Sequence, residues 1–265
     1  MQSAKRFTVI TGASQGLGRA FAEHCAKKRR NLILISLPQE ELQVLQQRLI
    51  LVYGIEVIVF EVDLTHSEQL NDLCQKLRQY PIDTLINNAG MGGTKAFLEA
   101  SPNYIDNIVL LNMRSVVLLT RHLLPQLKQL HNAYILNISS LAAFVPMPYK
   151  TIYPASKAFV YSFSRGLQME LKKTGVHVAV AHPGGMVTNA EVAKRINSHK
   201  GLVRLSILSP EKTAEICLEK LMKKESIIIP GKINRISSIL QRILPVSFQL
   251  NIINAKIQKE LEIIE

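Results

Sequence analysis

The stretch Phe7-Thr8-Val9-Ile10-Thr11-Gly12-Ala13-Ser14-Gln15-Gly16-Leu17-Gly18 decides the fold. Its first four residues are largely apolar or β-branched on consecutive positions, the pattern of a strand covered on both faces. The glycine-rich turn follows directly and opens a helix. Glycines let a backbone turn tightly and approach a pyrophosphate without Cβ clashes. The helix N-terminus behind them offers free N–H groups and a partial positive charge to that anion. The spacing differs from the G-x-G-x-x-G dinucleotide fingerprint. A tight turn with no ligand has much the same glycine content; the place of this one after the first strand is what favours a phosphate cradle.

Further short apolar runs recur at 32–35, 57–62, 84–86, 134–138, 176–181 and 227–229. Between them, 39–51, 67–78 and 155–172 have helical length and spacing. Strand–helix alternation of this kind implies an α/β protein with a parallel sheet between helices. No internal repeat, low-complexity tract or linker divides the chain. The expected division is a catalytic unit over 1–231 and an amphipathic helical C-terminal extension over 232–265 packed on the same domain. In that extension Ile236, Ile239, Leu240, Ile243 and Leu244 form one apolar stripe that Pro245 ends, and 250–264 supply a second apolar-rich stretch.

Composition narrows the function without choosing it. Hydrophobic residues make up 47% and charged residues 20% of the 265, enough for a substantial core. The net charge of +12 is compatible with nucleic acid, an anionic membrane or an anionic ligand. Residues 1–30 contribute +6 and residues 190–265 contribute +5. The excess therefore flanks the glycine turn and covers the C-terminal part. No basic run interleaved with aromatics, helix–turn–helix signal or zinc spacing supports a nucleic-acid partner. Cys25, Cys74 and Cys217 lie far apart, which excludes a zinc site built on cysteine pairs and a disulfide framework. No metal is expected. The N-terminal residues lack a signal-peptide pattern and no window reaches the apolar length of a span, so a cytoplasmic protein is expected.

Six motifs in order carry a family resemblance. T-G-x-x-x-G-x-G from Thr11 to Gly18 is followed by Asn87-Asn88-Ala89-Gly90, then by Asn112. Ser140 stands 13 positions before Tyr153, Tyr153-Pro154-Ala155-Ser156-Lys157 gives Y-x-x-x-K, and Pro183-Gly184 precedes Thr188. Over about residues 5–230 the chain resembles the short-chain dehydrogenase/reductase family. It resembles the family's single-domain ketone and acyl reductases with an extended C-terminal tail. The resemblance implies a single Rossmann-like doubly wound sheet binding NAD or NADP, and an oxidoreductase interconverting a ketone and a secondary alcohol by hydride transfer. It also implies a dimer or tetramer built through 103–128 and 151–172. The alternative is a catalytically silent nucleotide-binding regulator on the same fold, which would be expected to lack the tyrosine–lysine pair.

The expected catalytic residues are Asn112, Ser140, Tyr153 and Lys157. Tyr153 and Lys157 are four apart and share a helix face. Bringing a tyrosine pKa of about 10 down to neutrality takes about 4 kcal/mol, and an adjacent ammonium favours the phenolate. Neither Tyr149 nor Tyr161 has a lysine four residues on. Ser140 would donate to the substrate carbonyl, with Ser139 as the competing candidate. By resemblance, Asn112 would hold a water linking Lys157 to solvent.

For the cofactor, the turn residues Gly12, Ser14, Gln15, Gly16, Leu17 and Gly18 would cradle the pyrophosphate. By resemblance, Asp63 with Leu64 would meet the adenine, and Asn87, Ala89 and Gly90 the ribose side. Pro183, Gly184 and Thr188 would meet the nicotinamide end, beside Tyr153 and Lys157. Asp63 would otherwise cap the helix near His66. The end of strand two, Ile35-Ser36-Leu37-Pro38, has no acid to repel a 2′-phosphate, and Ser36 can bond either ribose form. This tilts the reading to NADP(H) over NAD(H). The basic stretch 189–206 corresponds to the family's variable substrate lid, and Gly92-Gly93 suggests a mobile wall opposite it. The tail stripe is expected to pack over the pocket or sheet edge. A dimer interface and peripheral contact with a membrane are the alternatives, the last not favoured for want of aromatic anchors beyond Phe248.

Overall fold

The computed structural model describes residues 6–38, 40–186 and 206–261. Seven strands form one parallel sheet: β1 (Phe7–Thr11), β2 (Asn31–Ser36), β3 (Val57–Glu61), β4 (Ile82–Asn87), β5 (Ala133–Ile138), β6 (Val176–Ala181) and β7 (Ile227–Ile228). Their order across the sheet is β3-β2-β1-β4-β5-β6-β7. The chain thus runs outward from β1 to one edge, returns, and runs outward from β4 to the other. The order reverses between β1 and β4, and in an open parallel sheet ligands bind beyond the carboxyl ends of the strands at such a point. The glycine turn leaves β1 there, and Asn87–Gly90 leave β4.

Successive strand residues point to opposite faces and build two cores. Ile10, Leu32 and Leu34 pack with Phe21 of α1 (Gly16–Lys27) and with Leu42, Leu45 and Leu49 of α2 (Glu40–Tyr53). Val9, Ile33, Ile35 and Leu85 face the opposite layer, with Leu70, Leu73 and Leu77 of α3 (Ser67–Leu77). A fully buried aliphatic side chain contributes ~1.5–3 kcal/mol, so these strands are held from both sides. That is why they read as continuous apolar runs.

Helix α4 (Pro102–Val109), capped by Ser101 Oγ accepting from the Tyr104 amide, runs through a π-helical turn (Leu110–Arg114) into α5 (Ser115–Leu127). The whole run is long and apolar enough to cross a membrane by length and composition. Here Val116, Leu119, Leu123 and Leu127 are buried, and the run packs on β4, β5 and α6 (Ile152–Glu170). Helix α6 begins three residues before the expected start, which places Tyr153 inside its first turn.

Helix α7 (Pro210–Met222) packs on α1. The chain then enters β7 and turns at Gly231, whose φ of +90° favours glycine. The extension forms two helices, α8 (Lys232–Ile243) and α9 (Val246–Leu261), the second starting four residues earlier than expected. Helix α8 rests on the 141–144 segment. Its apolar stripe does not pack as expected: Ile236, Ile239, Leu240 and Ile243 are exposed, while Asn234 and Ser238 are buried. The reason is hydrogen bonding. The Asn234 amide donates to the carbonyls of Pro230 and Ser206, which fixes the polar side of the helix inward.

Candidate active site

The glycine turn is held by side chains of two strand ends. The Thr11 hydroxyl accepts from the amides of Asn88 and Ala89 at 2.9 Å each. In return the Asn88 side chain donates to the Thr11 and Gly12 carbonyls. Gly12 has φ +64°, and a Cβ there would lie 2.9 Å from the Ala89 Cα. A Cβ on Gly18 would fall 1.9 Å from the Gly12 carbonyl oxygen, so Gly18 lets α1 close onto the turn rather than touching a ligand itself. Gln15, at the N-cap of α1, makes no side-chain cap, and no acid stands in the first turn. The N–H groups there remain available to an anion.

Beyond the strand ends opens a cleft of about 1080 Å³. Its wall includes Gly12, Ser14, Gln15, Gly16 and Leu17, then Ser36, Asp63, Leu64, Ala89 and Gly90, and at the far end Ser140, Tyr153, Lys157, Pro183 and Gly184. These expected residues are therefore brought together. Ser36 donates its hydroxyl to Ser14 at 2.9 Å, closing the end of β2 against the turn. Asp63 does not cap α3; His66 occupies the N-cap position. Its carboxylate instead accepts from the Thr65 amide and hydroxyl at 2.8 and 2.7 Å, a local turn that presents Asp63 to the cleft.

Two expected residues lie elsewhere, and a third falls outside the described residues. Asn87 is buried, with its amide donating to Thr120 Oγ1 and Asn137 Oδ1, so it ties the sheet to α5 and leaves the cleft to its neighbour Asn88. Asn112 is fully buried in the π-helical turn. Its oxygen accepts from the Met91 amide, and its nitrogen donates to the Met91 carbonyl and the Ser156 hydroxyl. It thereby fastens the 88–91 loop to α6. Thr188, with the basic stretch at 189–205, lies outside the described residues.

At the chemical end, the Lys157 ammonium donates to the Ile138 carbonyl at 3.0 Å and stands 5.7 Å from the Tyr153 ring centroid. The Tyr153 phenol is hydrogen-bonded to Ser140. Ser139 points away, its hydroxyl donating to the Lys157 carbonyl at 2.7 Å. The expected drop in the Tyr153 pKa is not seen. Burial pushes it above the ordinary tyrosine value, only partly opposed by the Ser140 bond, and burial also pulls Lys157 down to about 8. Both changes have one cause, since a desolvated wall penalises each charged form.

Two residues matter here in ways that the sequence does not signal. His182 donates from Nδ1 to the Ser140 carbonyl at 3.0 Å, and burial holds its pKa near 4, so its ring is neutral and acts as a fixed brace for the 140 segment. Phe144 and Tyr161 flank that ring. Gly92 is required by close approach rather than by mobility: a Cβ there would meet the Tyr153 ring at 2.5 Å. Only the fold brings either residue to the site.

The family model for short chain dehydrogenase matches residues 6–200. The chain belongs to the short-chain dehydrogenase family. Among curated relatives, 17-beta-hydroxysteroid dehydrogenase type 3 of Danio rerio is 36% identical over 70% of this chain and 62% of its own length. Very-long-chain 3-oxoacyl-CoA reductase of Anas platyrhynchos is 36% identical over 67% of this chain and 58% of its own. The chain thus spans about three fifths of the length of these relatives. Among solved structures, a short-chain dehydrogenase from Sphingobium yanoikuyae in complex with NADPH superposes with a TM-score of 0.78 at 27% identity, covering 91% of this chain and 96% of that one. A family member from Burkholderia phymatum in complex with NAD gives 0.78 at 25%, covering 89% and 92%. The glycine cradle, the free helix N-terminus and the cleft volume fit a dinucleotide of the kind these two proteins hold.

The buried lysine has a measurable consequence. In the unfolded chain a lysine titrates near 10.4, whereas Lys157 in the fold titrates near 8. Below pH 8 its charged form therefore destabilises the fold by about 3 kcal/mol, a cost that fades as pH rises from 8 toward 10. In urea titrations Lys157→Met is expected to be more stable than wild type at pH 7, with the difference shrinking by pH 10. A variant less stable at both pH values would contradict this.

Proposed function

We propose that this chain is an NAD(P)-dependent oxidoreductase that interconverts a ketone and a secondary alcohol, working as an NADPH-dependent reductase of an apolar or acyl-type carbonyl. The observation that carries the reading is the meeting of Tyr153, Ser140 and Lys157 at one end of a cleft whose other end is a glycine cradle for phosphates. A bound nicotinamide would supply or accept the hydride. The residues of the chain do the rest. Ser140 orients the carbonyl oxygen and offers a hydrogen bond to the charge that develops on it. Tyr153 gives that oxygen its proton from Oη, a transfer typically contributing 10²–10⁴-fold. The phenol is protonated near pH 7, as an ordinary tyrosine is, and burial raises its pKa further, so it carries the proton that reduction consumes. Lys157, held at the Ile138 carbonyl, places a positive charge beside the ring and favours the phenolate left after transfer. Asn112 fixes the Met91 loop, and Gly92 of that loop abuts the Tyr153 ring, so the phenol is positioned from both sides.

Preference for NADPH is supported by the end of β2, where Ser36 is turned to Ser14 and Ile35-Ser36-Leu37-Pro38 contain no acid to repel a 2′-phosphate. The apolar or acyl-type substrate is supported by the hydroxysteroid dehydrogenase and 3-oxoacyl-CoA reductase relatives.

Tyr153→Phe is expected to lower kcat by at least about 10²-fold while nicotinamide cofactor still binds, as read by isothermal titration calorimetry. Turnover at the wild-type rate would remove Tyr153 from the mechanism. Gly92→Ala is expected to displace the ring and lower kcat with cofactor affinity unchanged. With a panel of bulky ketones, kcat/KM for NADPH is expected to exceed that for NADH by about tenfold, the ~1.4 kcal/mol of one well-placed interaction. A preference for NADH would reverse the cofactor assignment. Cofactor binding with no turnover of any carbonyl would instead favour a regulatory protein.

A further inference from the structure

Helix α8 is built inside out. Its inward side is polar and hydrogen-bonded: Asn234, 4% exposed, donates to the Pro230 and Ser206 carbonyls, and Ser238, 2% exposed, donates to the Arg235 carbonyl. Its outward side is the apolar stripe, with Ile236 at 67%, Ile239 at 58%, Leu240 at 55% and Ile243 at 74% exposure. After Pro245 the exposed apolar surface continues in α9 with Val246, Phe248 and Ile252. The turn between the helices is also fastened from within. The Gln249 amide donates to the Gln241 and Leu244 carbonyls at 2.7 and 2.6 Å. Scattered surface aliphatics need no explanation, but a continuous apolar stripe held outward by a hydrogen-bonded polar face does.

The charge on the same segment selects what would cover it. Helices α8 and α9 together carry five basic residues and one acidic one, Glu260 near the end of α9. Lys232 and Arg235 are exposed beside the stripe, and Arg242 lies 4.3 Å over the Phe144 ring. Two copies of this chain meeting face to face would bring five basic residues of each together with one acid, Glu260, to pair them. An anionic bilayer surface answers both features, since acyl chains take the apolar side chains and headgroups pair with the lysines and arginines. We infer that α8 and α9 dock this protein peripherally on anionic membranes.

The docking face lies close to the cleft. Asn234 packs against Gly184, a cleft residue, and Arg242 stacks on Phe144, which in turn contacts the His182 ring bracing Ser140. A molecule docked through α8 would therefore hold the Pro183–Gly184 side of the cleft near the bilayer.

The test is co-sedimentation of the full chain with vesicles of phosphatidylcholine containing phosphatidylglycerol, and with vesicles of phosphatidylcholine alone. Binding is expected to the anionic vesicles, about tenfold weaker to the neutral ones, and reduced by added salt. Ile236→Ser/Ile239→Ser/Ile243→Ser, which alters only exposed side chains, is expected to abolish sedimentation with an unchanged melting temperature. Lys232→Glu/Arg235→Glu is expected to remove the preference for anionic vesicles. Wild-type protein remaining in the supernatant, or a triple isoleucine variant that sediments as well as wild type, would overturn the inference. So would a concentration-dependent dimer, seen by light scattering, that the isoleucine variant splits while vesicle binding is absent; that outcome would assign the face to a second copy.

Discussion

The bond from the Lys157 ammonium to the Ile138 carbonyl, 3.0 Å long and buried at the wall of the cleft, is the interaction on which the rest of the site depends. It joins α6 to the end of β5 and so fixes the helix whose first turn carries Tyr153. Ser139 strengthens the same junction by donating to the Lys157 backbone carbonyl, which leaves Ser140 as the serine that faces the phenol. Gly90 passes close to both Lys157 and Asn112: an added Cβ would stand 3.1 Å from the Lys157 ammonium and 3.2 Å from the Asn112 oxygen, so these side chains would have to give by a few tenths of an ångström. The lysine is thus a hub for three segments that are distant in sequence. Its position costs stability, because an ammonium removed from water is disfavoured unless fully compensated. Such a cost persists in folds where the charged group has work to do.

A second constraint runs through the cofactor end. The C-terminal ends of β1 and β4 leave carbonyls and amides that must find partners where the sheet stops. Thr11 and Asn88 supply them, and in doing so shape the glycine turn before any ligand arrives. The cradle is therefore preorganised, and a dinucleotide would not have to fold the loop around itself. The extension repeats the same logic on the outside of the molecule. Asn234, Ser238 and Gln249 satisfy backbone carbonyls with their polar groups and thereby decide which way the apolar stripe looks.

Much of the molecule was legible in the chain. The parallel sheet followed from consecutive β-branched residues, since strands covered on both faces need no polar alternation. The cradle followed from glycines placed directly behind β1, and the tyrosine–lysine pair from a spacing of four on a helix. Less legible were residues whose meaning is a contact. Asn87 and Asn88 are adjacent and chemically identical, and only the pleat of β4 sends one into the core and the other to the turn. Asn112 reads as an ordinary helical residue, yet it sits in a π-helical turn whose geometry carries its amide to Met91 and Ser156.

The amino-acid sequence by itself determined the alternation of strands and helices, the glycine turn behind β1 and the tyrosine–lysine pair on one helix face. These rest on local periodicity and on residue chemistry, which are written in adjacent positions. Tertiary structure alone decided the protonation balance of Tyr153 and Lys157, because desolvation depends on what the whole fold packs around them. It alone showed that Gly92 makes room for a ring and that His182 braces Ser140. It also decided the facing of α8. Periodicity finds an apolar stripe on a helix, but which side turns inward depends on carbonyls that other segments leave unpaired.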